Sequence, residues 1–180
     1  ELAGIVTSKD INTALLGELL KTLRSREAEE PETADGAEPG HWSKTYRLER
    51  YDFENAGRAS TEIKSRLREA GLPGPWVRRV TIALYEMEMN LVAHSYGGTL
   101  TFKLDRDGAE MSVEDTGPGI ADTAQALEEG YSTATEWIRS LGFGAGLGLP
   151  NIRRVADTFD IESGEGAGTR VHAAIRLKEE

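Results

Sequence analysis

The sequence predicts an α+β sandwich in which few strand pairs run parallel, and three observations predict it. Two stretches of helical period, 55–70 and 75–94, precede an alternating hairpin: Leu100, Phe102 and Leu104, then Met111 and Val113, around Asp107-Gly108. A later helix, about 147–157, leads into a second hairpin that turns at 164–168. Strands joined by short turns pair antiparallel, because a parallel pair needs a crossover of a dozen or more residues.

Taken in order, residues 8–26 read as a helix, with Ser8 or Asp10 as cap and Ile11, Leu15, Leu16, Leu19, Leu20 and Leu23 at helical spacing. Residues 27–40 carry six acidic residues, two prolines and two glycines, a linker composition too polar to pack. The chain therefore divides into an N-terminal helix and acidic linker, 1–41, and a main domain, 42–180. A strand is expected over 44–52, with Tyr46 and Leu48 in alternation. The 55–70 helix carries Ile63 and Leu67 and stops at Gly71 and Pro73. Trp76, Val77, Val80, Leu84, Met87 and Leu91 form one apolar stripe on the 75–94 helix, and Gly97-Gly98 ends it. A glycine-interrupted stretch spans 115–148. The last strands are 159–162 and one holding Val171, Ala173, Ile175 and Leu177 in phase.

Composition narrows the function classes. The 180 residues include no cysteine, which excludes disulfides and thiolate metal sites and makes a reducing, cytoplasmic compartment the expectation. No apolar run approaches the ~20 residues needed to span a bilayer, and no basic leader is visible, so no membrane partner is expected. With 21 basic against 31 acidic residues, the charge of −10 disfavours nucleic acid as a partner. Arg78-Arg79 and Arg153-Arg154 are the only basic doublets and read as solvated helix faces.

Three places depart from ordinary patterning. Glu86 and Asn90 lie four apart on one helix face that His94 continues, bordering the apolar stripe. An amide oxygen suits Mg²⁺, and a carboxylate one turn away suits a proton acceptor. Glu88 points elsewhere and is expected at the surface. Asp115 follows Met111 and Val113 in phase, on the buried face of its strand, where an acid needs a partner. The turn after it, Thr116-Gly117-Pro118-Gly119, opens space in which Asp115 can accept from an exocyclic amino group such as that of adenine. Capping its own turn is the other role open to it. Gly142, Gly144, Gly146 and Gly148 alternate directly into a helix, baring N–H groups at the positive end of its dipole, an arrangement that binds phosphate. The run lacks the GK[ST] ending of a Walker loop and the spacing of a dinucleotide GxGxxG. Thr169 is in phase with Val171, so its hydroxyl either reaches the Asp115 pocket or fills a strand position.

In this order the motifs resemble those of the GHKL (HATPase_c) ATP-binding fold, across about 42–178. Glu86-x-x-x-Asn90 resembles its N box, Asp115 to Gly119 its DxGxG box, Gly142 to Gly148 its glycine-rich box, and Gly166 to Thr169 its late GT turn. The resemblance implies a Bergerat-type two-layer α/β sandwich, its sheet mixed but mostly antiparallel and covered by helices on one face. The 85–98 stretch, the 141–157 run and a short lid over 121–141 are similar to the anti-sigma-factor serine kinases and switch kinases (the RsbW, RsbT and SpoIIAB type). That branch implies an ATP- and Mg²⁺-dependent serine/threonine kinase that phosphorylates a STAS-domain antagonist and holds a sigma factor or switch complex. It implies Glu86 as the catalytic base, Asn90 as the Mg²⁺ ligand and Asp115 as the adenine contact. Asn90, Asp115, Gly117, Gly119, Gly142, Gly144, Gly146, Leu147, Gly148 and Thr169 would then bind the nucleotide. Residues 1–41 match nothing in that branch, and a homodimer stays open.

Two rivals remain in view. A binding module that uses ATP as a structural ligand is the runner-up. A sensor histidine kinase needs a phosphoacceptor on a dimerising helix, and His41, His94 and His172 are all placed elsewhere. Arg139, or a hydroxyl of the 131–135 stretch, is expected to reach the terminal phosphate when the lid closes.

Overall fold

Strand β1 (Trp42–Leu48) opens the part of the chain described by the structure, a computed structural model that describes residues 41–177. The expected N-terminal helix and linker lie outside the described residues. Helix α1 (Arg58–Glu69) and helix α2 (Gly74–His94) follow, then strands β2 (Gly98–Leu104) and β3 (Gly108–Asp115). Two short helices, α3 (Thr123–Ala126) and α4 (Glu136–Ser140), occupy the glycine-interrupted stretch. Helix α5 (Gly148–Val155) and strands β4 (Thr158–Ser163) and β5 (Thr169–Arg176) complete the domain.

The five strands form one sheet in the order β1-β2-β3-β5-β4, and all four pairings are antiparallel. The expected mixed character is thus absent among the described strands. Three neighbouring pairs are either hairpins or, for β1 and β2, strands joined by a returning helix pair. The fourth pairs β3 with β5, side by side and antiparallel, across the long 116–168 excursion. Register sets Val113 beside Val171 and Met111 beside Ala173, so the apolar side chains of the central strands share one face.

That face meets the helices. Leu100, Phe102, Met111, Ala173 and Ile175 from the sheet pack against Ile63, Leu67, Val80, Leu84 and Met87, with Ile152 of α5 in the same cluster. The apolar stripe read from the sequence is buried along its whole length. Truncating a fully buried member such as Leu84 costs about 2–5 kcal/mol, from lost transfer energy plus the cavity left behind.

Two boundaries differ from expectation. β1 ends at Leu48 because the chain turns at Tyr51, whose φ is 63°. Asp52 then holds Asn55 in an Asx-type turn, which delays α1 to Arg58. Helix α2 starts at Gly74-Pro75, where proline's missing N–H is harmless. It stops at Ser95, whose hydroxyl donates to the Leu91 carbonyl at 2.7 Å and accepts from Gly97 N–H at 2.9 Å.

Glu88 is a correction. Expected at the surface, it is fully buried, and its carboxylate accepts the backbone N–H groups of Ala59 and Ser60, each at 3.1 Å. The reason lies in α1: its N-cap is Gly57, which has no side chain to satisfy the first-turn N–H groups. A carboxylate from α2 does so instead, at the positive end of the α1 dipole.

Candidate functional site

Helices α2 and α5 lie antiparallel and touch at three levels. Near the start of α2, Arg79 Nε caps the C-terminal end of α5 by donating to the Val155 carbonyl at 2.9 Å, and its guanidinium pairs with Asp157 at 3.0 Å. At the middle level Asn151 Nδ2 donates to Glu86 Oε1 at 2.7 Å, and Arg154 Nη2 donates to Asn151 Oδ1 at 2.7 Å. At the top Gly148 faces Asn90 so closely that a Cβ there would stand 2.9 Å from Asn90 Oδ1. Asn90 is thereby held beside the first turn of α5, whose N-cap Leu147 supplies no side-chain acceptor. The N–H groups and positive dipole end of that turn are free for an anion. His94 continues the row, and burial lowers its pKa, so its imidazole is neutral at pH 7.

Asp115 closes β3 half-buried. Burial pushes its carboxyl above the usual range, while hydrogen bonds from Gly117 N–H, 2.6 Å from Oδ1, and Thr169 N–H pull the other way. The turn beyond it is packed backbone to backbone. A Cβ on Gly119, whose φ is 72°, would collide with the Gly164 carbonyl, and one on Gly117 would stand 2.9 Å from Ser95 Cα. Ser163 ties the segments together: its hydroxyl donates to the Gly168 carbonyl at 2.7 Å, accepts from Ile120 N–H at 2.8 Å and lies 3.0 Å from Thr169 Oγ1. Thr169 therefore meets Asp115 through its backbone and Ser163 through its hydroxyl. The hydroxyl, expected either to reach the Asp115 pocket or to fill a strand position, is directed to Ser163.

The glycine run connects the lid to the Asn90 end of α2. Gly130 N–H donates to the Gly146 carbonyl at 2.9 Å, and a Cβ on Gly146 would come within 2.7 Å of Tyr131 N. Gly144 leaves no room beside the Ala134 side chain, whereas Gly142 faces open space. Leu147 is exposed. Gly144 and Gly146 thus meet the lid, and Gly148 meets Asn90. The lid is also held by rings. Phe143 stacks on Phe53 with centroids 5.0 Å apart, and Trp137 meets Tyr51 and Phe53 edge-on at 5.0 and 5.7 Å. Arg139 folds back onto its own segment, donating to the Ser132 carbonyl at 3.2 Å.

The structure brings Glu86, Asn90 and Gly148 together, and separately Asp115, Gly117, Gly119 and Thr169. Ser95, five residues after Asn90 and packed on Gly117, joins the two groups. Sequence reasoning missed Asn151 and Ser163. Ser163 is in phase with Phe159 and Ile161 on β4, a signal that was available; Asn151 pairs across 65 residues and gave none. Among the described residues no three His, Cys, Asp or Glu side chains gather as a metal centre. A divalent ion would have to arrive with most of its ligands, as Mg²⁺ does with phosphate and water oxygens, and the Asn90 amide fits that limited role. No described helix is long and apolar enough to cross a membrane.

Comparison with known proteins agrees with this architecture. Over 104 residues, 56% of this chain and 72% of the relative, the chain is 32% identical to the serine/threonine-protein kinase RsbT of Bacillus subtilis (strain 168). It is 29% identical over 100 residues to the anti-sigma F factor of Pasteuria penetrans, of which it spans 63%. The family model described as histidine kinase-, DNA gyrase B- and HSP90-like ATPase matches residues 77–179, from α2 through β5, and the chain belongs to that family.

Proposed function

We propose that this chain is an ATP- and Mg²⁺-dependent serine/threonine protein kinase of a cytoplasmic partner-switching system, acting on a STAS-type antagonist of a sigma factor. The observation that carries this reading is Asn90 held against Gly148 at the first turn of α5, with Glu86 one turn away on α2. Similarity to a protein named as a serine/threonine kinase and to one named as an anti-sigma factor supports the same reading.

In the proposed reaction the adenine lies over Asp115 and Thr169, between the Gly117–Gly119 turn and β5. The phosphates lie at the α5 N-terminus beside Gly142, Gly144, Gly146, Leu147 and Gly148. Mg²⁺, held by Asn90, would offset phosphate charge. Glu86 accepts the proton of the partner's serine or threonine hydroxyl as its oxygen bonds to the γ-phosphorus. The bond from that phosphorus to the β–γ bridging oxygen breaks, and its electron pair leaves with ADP. Catalysis of this kind is mainly positioning and electrostatic stabilisation.

The test is incubation with γ-labelled ATP, Mg²⁺ and a lysate of the source organism, with Glu86→Gln alongside. A small protein labelled only by the wild type supports the kinase. ATP binding without any labelled partner favours the alternative, a nucleotide-dependent module that sequesters its partner, which the anti-sigma F factor relative keeps in view.

A further inference from the structure

We infer that Asn151 is a positioning residue for Glu86, fixing which carboxylate oxygen takes the proton. This rests on the proposed role of Glu86 as base.

Hydrogen-bond chemistry leaves one arrangement. A guanidinium only donates and a carboxylate only accepts, whereas a carboxamide does both from opposite sides. Arg154 donates to Asn151 Oδ1 at 2.7 Å, so the amide nitrogen is turned toward Glu86 Oε1, 2.7 Å away. No described residue is recorded against Glu86 Oε2. One oxygen is thus occupied and the other is left to accept a proton. The clasp is built on two helices and held in register above and below, by Gly148 against Asn90 and Arg79 on Val155. A site carried on packed helices keeps its geometry better than one on a loop. A base must stand within about 2.6–3.2 Å of the proton it takes, so a swing of Glu86 about its own side chain would forfeit the transfer. Asn151 lies beyond the glycines of that run, and none of the motifs read from the sequence gives it a role.

The experiment measures kcat and KM for MgATP hydrolysis, with water as acceptor, in four variants: Asn151→Asp, Asn151→Ala, Glu86→Gln and Glu86→Gln/Asn151→Asp. Asn151→Asp keeps the shape but sets an acceptor against an acceptor. Its kcat is expected to fall about 10–100-fold with KM within about twofold, and Asn151→Ala is expected to lose less. Added to Glu86→Gln, Asn151→Asp is expected to cause no further loss, because the residue acts through Glu86. Wild-type kcat in both Asn151 variants, with Glu86→Gln inactive, would overturn the positioning role alone. So would an Asn151→Asp loss that persists undiminished in the Glu86→Gln background. Wild-type turnover in Glu86→Gln removes the base assignment itself, and the positioning role with it.

Discussion

The Glu88 carboxylate accepts the backbone N–H of Ser60 at 3.1 Å, and so binds the middle of α2 to the first turn of α1. Glu88→Ala strands that N–H and its Ala59 neighbour in a buried place and opens a cavity. The expected loss is about 3 kcal/mol in urea unfolding, with Glu88→Gln losing about half of that because its amide oxygen still accepts. A loss below about 1 kcal/mol for the alanine variant would contradict the capping role.

Gly148→Ala places a methyl where the Asn90 carboxamide now lies, 2.9 Å from Oδ1. A side chain yields more readily than backbone, so the fold survives and Asn90 is displaced. MgATP affinity by calorimetry is expected to fall about tenfold, about 1.4 kcal/mol, with an unchanged unfolding midpoint. Equal affinity would separate Asn90 from the phosphate site.

Asp115→Asn is expected to remove the preference for ATP over GTP, measured by competition binding. The same variant has a pH signature. Burial raises the folded-state carboxyl pKa above its unfolded value, so in the window between the two the folded chain binds more protons. Stability therefore falls as pH rises through that window. The unfolding free energy of the wild type relative to Asp115→Asn should decline from just below the ordinary aspartate range to above it, then level off. A difference that rises with pH would reverse the assignment.

Phe53→Ala removes the ring on which Phe143 stacks and which Trp137 meets edge-on. Limited proteolysis is expected to cut within 130–145 several-fold faster, and Trp137 emission to shift to the red as the indole gains water. Unchanged cleavage would mean that the lid is held by Ile138 and Ala134 alone.

Local signals were legible in the sequence and tertiary ones were not. The stripe from Trp76 to Leu91 and the strand alternation around Asp107-Gly108 follow from period alone, and both appear where expected. Glu88 sits inside the same helical pattern, yet its destination depends on α1 opening with a glycine, a fact about another helix. The clasp of Asn151 on Glu86 needs α5 laid antiparallel on α2, which no local spacing encodes. Gly144 and Gly146 read as phosphate-binding geometry, and close approach to the lid is a second reason for glycine there. Sequence spacing cannot distinguish these two uses, because both demand the same missing side chain.

The junction of β3 with β5 bears on how such a domain can change over generations. Val113 and Val171 lie side by side although the whole of 116–168 intervenes, so the lid is an insertion between two strands whose pairing does not involve it. Closing a flexible loop costs only about 0.6 kcal/mol more for each doubling of its length. Residues can therefore be gained or lost within 121–141 with little effect on the sheet, provided the ring contacts to Tyr51 and Phe53 are kept or replaced. Among the described residues the lid can vary in length while the pairing of β3 with β5 stays as it is.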